Sequence, residues 1–118
     1  MSTNQLLVVE DDPGQLETRR LLLERFGYEV ISAATAEEAL EAFRQHSPPC
    51  VLMDLRLPRA QDGRRLIRGI HKADKSARII VLSGFPQDLE EAPEFRLVSH
   101  LLCKPVRTQT LLAILKRP

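Results

Sequence analysis

Unbroken apolar runs are what most constrain this chain. They fall at residues 6–9 (LLVV), 50–53 (CVLM) and 79–82 (IIVL), with a shorter one at 101–103 (LLC). A strand with one wet face alternates apolar and polar residues, so an unbroken run means a strand covered on both faces. Residues 28–33 read as a further strand. The stretches between these strands carry helical spacing. A parallel sheet sandwiched by helices meets both requirements.

The helical punctuation supports that reading. Asp12 and Pro13 offer a cap and a first-turn proline. Leu16, Leu23 and Phe26 repeat at helical intervals, Leu21 and Leu22 widen the stripe, and Gly27 supplies a stop. Thr35 and Glu38 have the form of a capping box, ahead of a buried stripe of Ala36, Ala39, Leu40 and Phe43 that ends at Ser47-Pro48-Pro49. Residues 63–73 place Leu66, Ile67 and Ile70 on one helical face, and 108–115 form a closing helix. Between 85 and 99, Pro86, Pro93 and several acids argue against one clean helix; a short helix near 88–91 and a later turn are expected. The fold expected is α/β over residues 1–118 as one domain: a doubly wound, five-stranded parallel sheet of order 2-1-3-4-5, flavodoxin-like, with helices on both faces.

Composition narrows the function. A formal net charge of +1 gives no electrostatic case for direct nucleic-acid or membrane binding. No apolar run approaches the roughly 20 residues of a membrane-spanning helix, and the polar start MSTNQ lacks a signal-peptide pattern. A cytoplasmic protein is expected. Cys50 and Cys103 lie in apolar segments without CxxC spacing and read as reduced, buried thiols. His46, His71 and His100 are far apart, with no ligand-spaced partners.

In a sheet of this order, ligands bind beyond the C-terminal strand ends, between strands 1 and 3. Strand 1 ends in Glu10 and Asp11, and strand 3 delivers Asp54. Three clustered carboxylates repel one another, and a hard divalent cation relieves that penalty. Strand 4 ends in Ser83 and strand 5 in Lys104. Acid cluster, nucleophilic carboxylate, hydroxyl and lysine together suit phosphoryl transfer, in which metal and lysine neutralise charge on the transferred oxygens. Taken singly, each has a bland reading: acids after a strand are often helix caps, as Asp12 is expected to be. Their order and convergence on one sheet edge carry the signal.

The segments LLVVEDD (6–12), VLMDLRLP (51–58), IVLSG (80–84) and Lys104-Pro105 resemble the response-regulator receiver family of two-component signalling, over essentially the whole chain. The resemblance implies that Asp54 is the phosphoacceptor. Mg²⁺, or Mn²⁺, would be held by Asp11 directly, by Glu10 through water, by Asp54 and by the backbone carbonyl of Arg56. Ser83 and Lys104 would contact the phosphoryl group. It implies a histidine kinase or histidine phosphotransfer protein as donor, self-catalysed transfer and slow hydrolysis, and a downstream protein on the face of helix 4, strand 5 and helix 5. A homodimer stays open, and so does the choice between a single-domain regulator and part of a larger protein, such as a hybrid histidine kinase. The Lys-Pro bond is commonly cis in the family.

Three departures stand out. Asp62-Gly63 come one residue later than the family's usual spacing from the phosphoacceptor. Leu101 occupies the place of the family's switch aromatic. Leu97-Val98-Ser99 replace a Gly-Ala before strand 5. Arg56 and Phe85 are expected to flank the water path to an acyl phosphate, where a bulky Phe85 would slow hydrolysis. Two functions compete: a phosphorylation-dependent switch, and a pseudo-receiver interaction module that keeps the fold without needing phosphate. An aspartyl phosphatase would want its nucleophile on strand 1, and a flavin carrier a Ser/Thr/Gly-rich loop; neither pattern is present.

Overall fold

The computed structural model describes residues 4–117. Its strands are β1 (Gln5–Val9), β2 (Glu29–Ala33), β3 (Cys50–Asp54), β4 (Arg78–Ser83) and β5 (His100–Cys103). Its helices are α1 (Pro13–Arg25), α2 (Ala36–His46), α3 (Ala60–Ala73), the single turn α4 (Gln87–Glu90) and α5 (Thr108–Leu115), with a 3-10 helix at Pro93–Leu97. All strand pairs are parallel in the order β2-β1-β3-β4-β5, as the apolar runs require.

Strand parity divides the core in two. Leu7, Val9, Val51, Met53, Ile79 and Val81 project to one side and pack with Phe43 of α2 and Leu66, Ile67 and Ile70 of α3. Leu6, Val8, Leu52, Ile80 and Leu82 project to the other, against Leu23 of α1 and Leu111, Leu112, Ile114 and Leu115 of α5. No helix among the described residues is long and apolar enough to cross a membrane.

Capping follows the sequence at the helices that matter most. Asp12 accepts from the Gln15 N–H (3.0 Å) and Thr35 from the Glu38 N–H (3.1 Å). Gly27, at φ 94°, takes the left-handed turn after α1. Helix α3 begins at Ala60, earlier than its apolar stripe suggested, because Asp62 reaches back to accept from the Arg59 N–H (3.1 Å).

Some expectations need correction. Leu21 and Phe26 are not part of α1's buried stripe: they are 56% and 50% exposed, since only Leu23 and the half-buried Leu16 and Leu22 face inward. Cys103 is exposed rather than buried, because β5 is an edge strand and Cys103 is its last residue. Cys50 is half-buried, and burial pushes its thiol up to about 11, which keeps it protonated and inert.

The 85–99 segment breaks into two short turns, as its prolines predicted. Arginines of α3 pin it down. Arg68 pairs with the buried Glu94, Arg64 lies 3.9 Å from the same carboxylate, and Arg64 also donates to the Asp88 carbonyl (3.3 Å). Burial pushes the Glu94 carboxyl up, but the hydrogen bond from Arg68 and the nearby guanidinium charges hold it below its usual range.

Gly63 explains why the Asp-Gly pair matters. A Cβ there would stand 1.9 Å from the Leu55 carbonyl oxygen, so α3 packs directly on the backbone leaving β3. Gly63→Ala should cost about 3 kcal/mol or more, since neither backbone can give way cheaply. Urea denaturation of the variant measures this, and a loss below about 1 kcal/mol would mean that α3 shifts freely.

Candidate functional site

Parity carries down to the strand ends. Glu10 continues the Leu6–Val8 face of β1, and Asp54 the Leu52 face of β3, so both project toward the side covered by α1 and α5. Glu10 is 2% exposed and Asp54 5% exposed, while Asp11 is open to solvent. Oxygens of Glu10, Asp11 and Asp54 all lie within 4.8 Å of one another. Burial, followed by the Asp54 carboxylate beside it, pushes the Glu10 carboxyl up to about 8. Glu10 Oε2 accepts from the Asp12 N–H (3.4 Å), but the buried Oε1 has no hydrogen-bond partner among the described residues.

A buried, unsatisfied carboxylate oxygen facing two further carboxylates is what a hard, oxygen-seeking cation would satisfy. The donor set therefore fits a divalent metal such as Mg²⁺.

Basic groups close the other side. Lys104 follows β5, held by its N–H on the Ser83 carbonyl (2.9 Å), and its Nζ donates to Asp54 Oδ2 at 2.9 Å. The Lys104-Pro105 bond is cis, as is Leu57-Pro58. Ser83, buried at the end of β4, accepts the Phe85 N–H on its Oγ (3.0 Å). Glu10, Asp11, Asp54, Arg56, Ser83 and Lys104 line one crevice of about 420 Å³. Arg56 sends its guanidinium to Asp88, with Nε at 3.0 Å and Nη2 at 2.8 Å from Oδ2, and lays it over the Phe85 ring, 3.9 Å from the centroid. This stack forms a rim on the crevice.

Sequence reasoning missed Arg19. Its Nη1 lies 3.3 Å from Asp54 Oδ1 and 3.8 Å from Glu10 Oε1, and its side chain is 15% exposed. A signal existed: Arg19 stands three residues after Leu16 and four before Leu23, on the inward stripe of α1. Helical side chains lean toward the helix N-terminus, which here is the crevice.

The sequence model of the response regulator receiver domain matches residues 6–116. The polar-differentiation response regulator DivK of Brucella abortus is 39% identical over 56 residues, 48% of this chain and 46% of that relative. The matched segment thus spans about half the length of this curated relative. Among solved structures, a CheY-like receiver domain protein from Methanospirillum hungatei is 31% identical, with a TM-score of 0.88, covering 98% of this chain and 92% of that one. The response regulator TrrA of Thermotoga maritima, solved in complex with Mg²⁺ and BeF, is 26% identical with a TM-score of 0.86, covering 96% of each chain.

The acid pocket predicts a pH dependence. A carboxyl whose folded pKa lies above its unfolded value stabilises the fold fully only below the unfolded value, and the contribution is lost as pH rises through the folded one. For Glu10 that window runs from 4.5 to about 8. Metal-free protein should lose on the order of 2 kcal/mol between about pH 5 and about pH 8. Denaturant melts read the loss. Glu10→Gln should flatten the profile, and saturating Mg²⁺ should restore stability at the alkaline end.

Proposed function

The chain belongs to the response regulator receiver family, and from that premise we propose that it is a phosphorylation-dependent signalling switch that accepts a phosphoryl group on Asp54. The observation that carries the reading is the contact of Lys104 Nζ with Asp54 Oδ2 at 2.9 Å, inside a crevice that also holds the acid cluster and Ser83. The carboxylate is thereby oriented and its neighbourhood charged for an anionic reactant.

The donor would be a phosphohistidine on a histidine kinase or phosphotransfer protein. An Asp54 oxygen attacks phosphorus in line while the P–N bond to the imidazole breaks. The electron pair and then a proton go to the imidazole nitrogen, leaving an acyl phosphate on Asp54. Glu10, Asp11, Asp54 and the Arg56 carbonyl would hold Mg²⁺, which when bound supplies positive charge against the phosphoryl oxygens. Lys104 neutralises a further oxygen. Ser83 accepts from Phe85 through its lone pairs, so its own O–H is left to donate to the phosphoryl group. The surface of α4, β5 and α5 would then bind a downstream protein.

One observation favours the alternative of a phosphate-independent interaction module. Leu101 packs into the core on the α2–α3 side, and an aliphatic side chain there has neither ring nor hydroxyl to relay the state of Asp54.

Incubation with acetyl phosphate and Mg²⁺, followed by intact mass measurement, separates the two readings. The switch gains one phosphoryl group, and Asp54→Ala gains none. Absence of the adduct on the unmodified chain, or its persistence in Asp54→Ala, would overturn the phosphoacceptor reading.

The rim makes a second prediction. The Phe85 ring under Arg56 lines the crevice, where it would screen an acyl phosphate on Asp54 from attacking water. Phe85→Ala should shorten the lifetime of phosphorylated Asp54 by roughly three- to tenfold, measured as decay of the adduct after donor removal.

A further inference from the structure

Arg19 has no part in the transfer chemistry just described, yet its guanidinium lies 3.3 Å from Asp54 and 3.8 Å from Glu10, two of the carboxylates that would hold the metal. We infer that Arg19 is a tethered counter-ion of the acidic crevice, which a divalent cation must displace into the neighbouring groove between α1 and the loop after β5. The inference rests on the phosphoacceptor reading only in that both require a divalent-metal site at Glu10, Asp11 and Asp54.

Charge balance is the first argument. Three carboxylates face two cations, Arg19 and Lys104. Adding a divalent ion with both cations in place would overshoot the negative charge, and like charges a few ångströms apart in a half-buried site repel strongly. One cation has to yield. Lys104 is the better held, through its 2.9 Å contact and a backbone anchored on Ser83.

Geometry is the second. Arg19 meets Asp54 through one nitrogen at 3.3 Å and Glu10 at 3.8 Å, beyond hydrogen-bond range. This is not the short, two-pronged arginine–carboxylate pair that locks a structure. It also leaves Glu10 Oε1 without a hydrogen bond. The guanidinium thus stands beside Glu10 and Asp54, where it offsets their charge without satisfying the oxygens around it.

Room is the third. Arg19 lines a groove of about 550 Å³, together with Gly14, Thr18, Leu22, Val106 and Leu111. The long arginine stem can swing into that space, its methylenes against Leu22 and Val106 and its head toward solvent. Metal occupancy would thereby be felt on the α1–α5 side of the molecule.

Mg²⁺ titration at constant ionic strength, followed by calorimetry and by amide and arginine side-chain NMR, tests this. Arg19→Met should bind Mg²⁺ about tenfold more tightly than the unmodified chain, and Arg19→Lys should stay near it. In the unmodified chain, saturating Mg²⁺ should shift the Arg19 Nε–Hε resonance and the amides of Thr18, Leu22 and Val106. In Arg19→Met the groove shifts should vanish while those at Asp11 and Ser83 remain. Equal or weaker Mg²⁺ affinity in a folded Arg19→Met overturns the inference and leaves the metal site standing. An Arg19 Nε–Hε resonance unmoved by saturating Mg²⁺ also overturns it, with no variant needed. Failure of every form to bind Mg²⁺ sinks the inference and the metal site together.

Discussion

The parallel pairing of β1 with β3 is the constraint on which the rest depends. Its register, Leu6 with Cys50 through Val9 with Met53, brings the next residues of both strands side by side at the C-terminal edge. Those residues include Glu10 and Asp54, and parity turns both toward α1 and α5. The hydrophobic interior that holds the register is much stronger than the repulsion it imposes at the edge. Each fully buried Leu, Ile or Val contributes about 1.5–3 kcal/mol, and the two clusters contain many of them. A sheet this well buried can hold carboxylates where water would not leave them, and the raised Glu10 carboxyl reflects that.

The charges around this edge fall into two kinds. Lys104 and Arg19 face the buried acids directly. Arg56, Arg64 and Arg68 act further out, tying the short turns after β4 to the rest of the molecule through Asp88 and Glu94. The exposed pair of Arg56 with Asp88 is worth little. The pocket floor is therefore rigid because the sheet is rigid. Its rim is held by contacts that exchange easily with water, so rim and floor can respond to a ligand on different scales.

Most of the fold was legible because its signals were local and strong. Unbroken apolar runs located the strands, Asp12 and Thr35 marked helix starts, and the prolines at 86 and 93 foretold a broken segment. Convergence of Glu10, Asp11, Asp54, Ser83 and Lys104 on one crevice followed from strand order, whereas Arg56 was suggested only by the family resemblance. The misses came from context that spacing does not carry. Leu21 and Phe26 looked like core because they are apolar at helical intervals, but of α1's leucines only Leu16 and Leu23 pack into the cluster under the sheet. Cys103 is exposed by its place at the end of an edge strand. Arg19 was passed over, because its partners Glu10 and Asp54 come from other parts of the chain that only the folded sheet brings beside α1.

Leu101 separates the proposed acceptance of phosphate from the response that would follow it. It is half-buried in β5 and packs with Leu97 and Val98 against the α2–α3 core, where close packing resists a large swing. The contacts leading from Ser83 to the surface do not pass through it. Ser83 Oγ holds the Phe85 N–H, the Phe85 ring lies beneath Arg56, and Arg56 grips Asp88 in α4. Every link in that series is polar or stacked rather than buried in the core. A movement of Ser83 toward a phosphoryl group would therefore strain the rim before it disturbed β5. That series locates where a response has least to overcome, at the short turn α4 and its arginine ties.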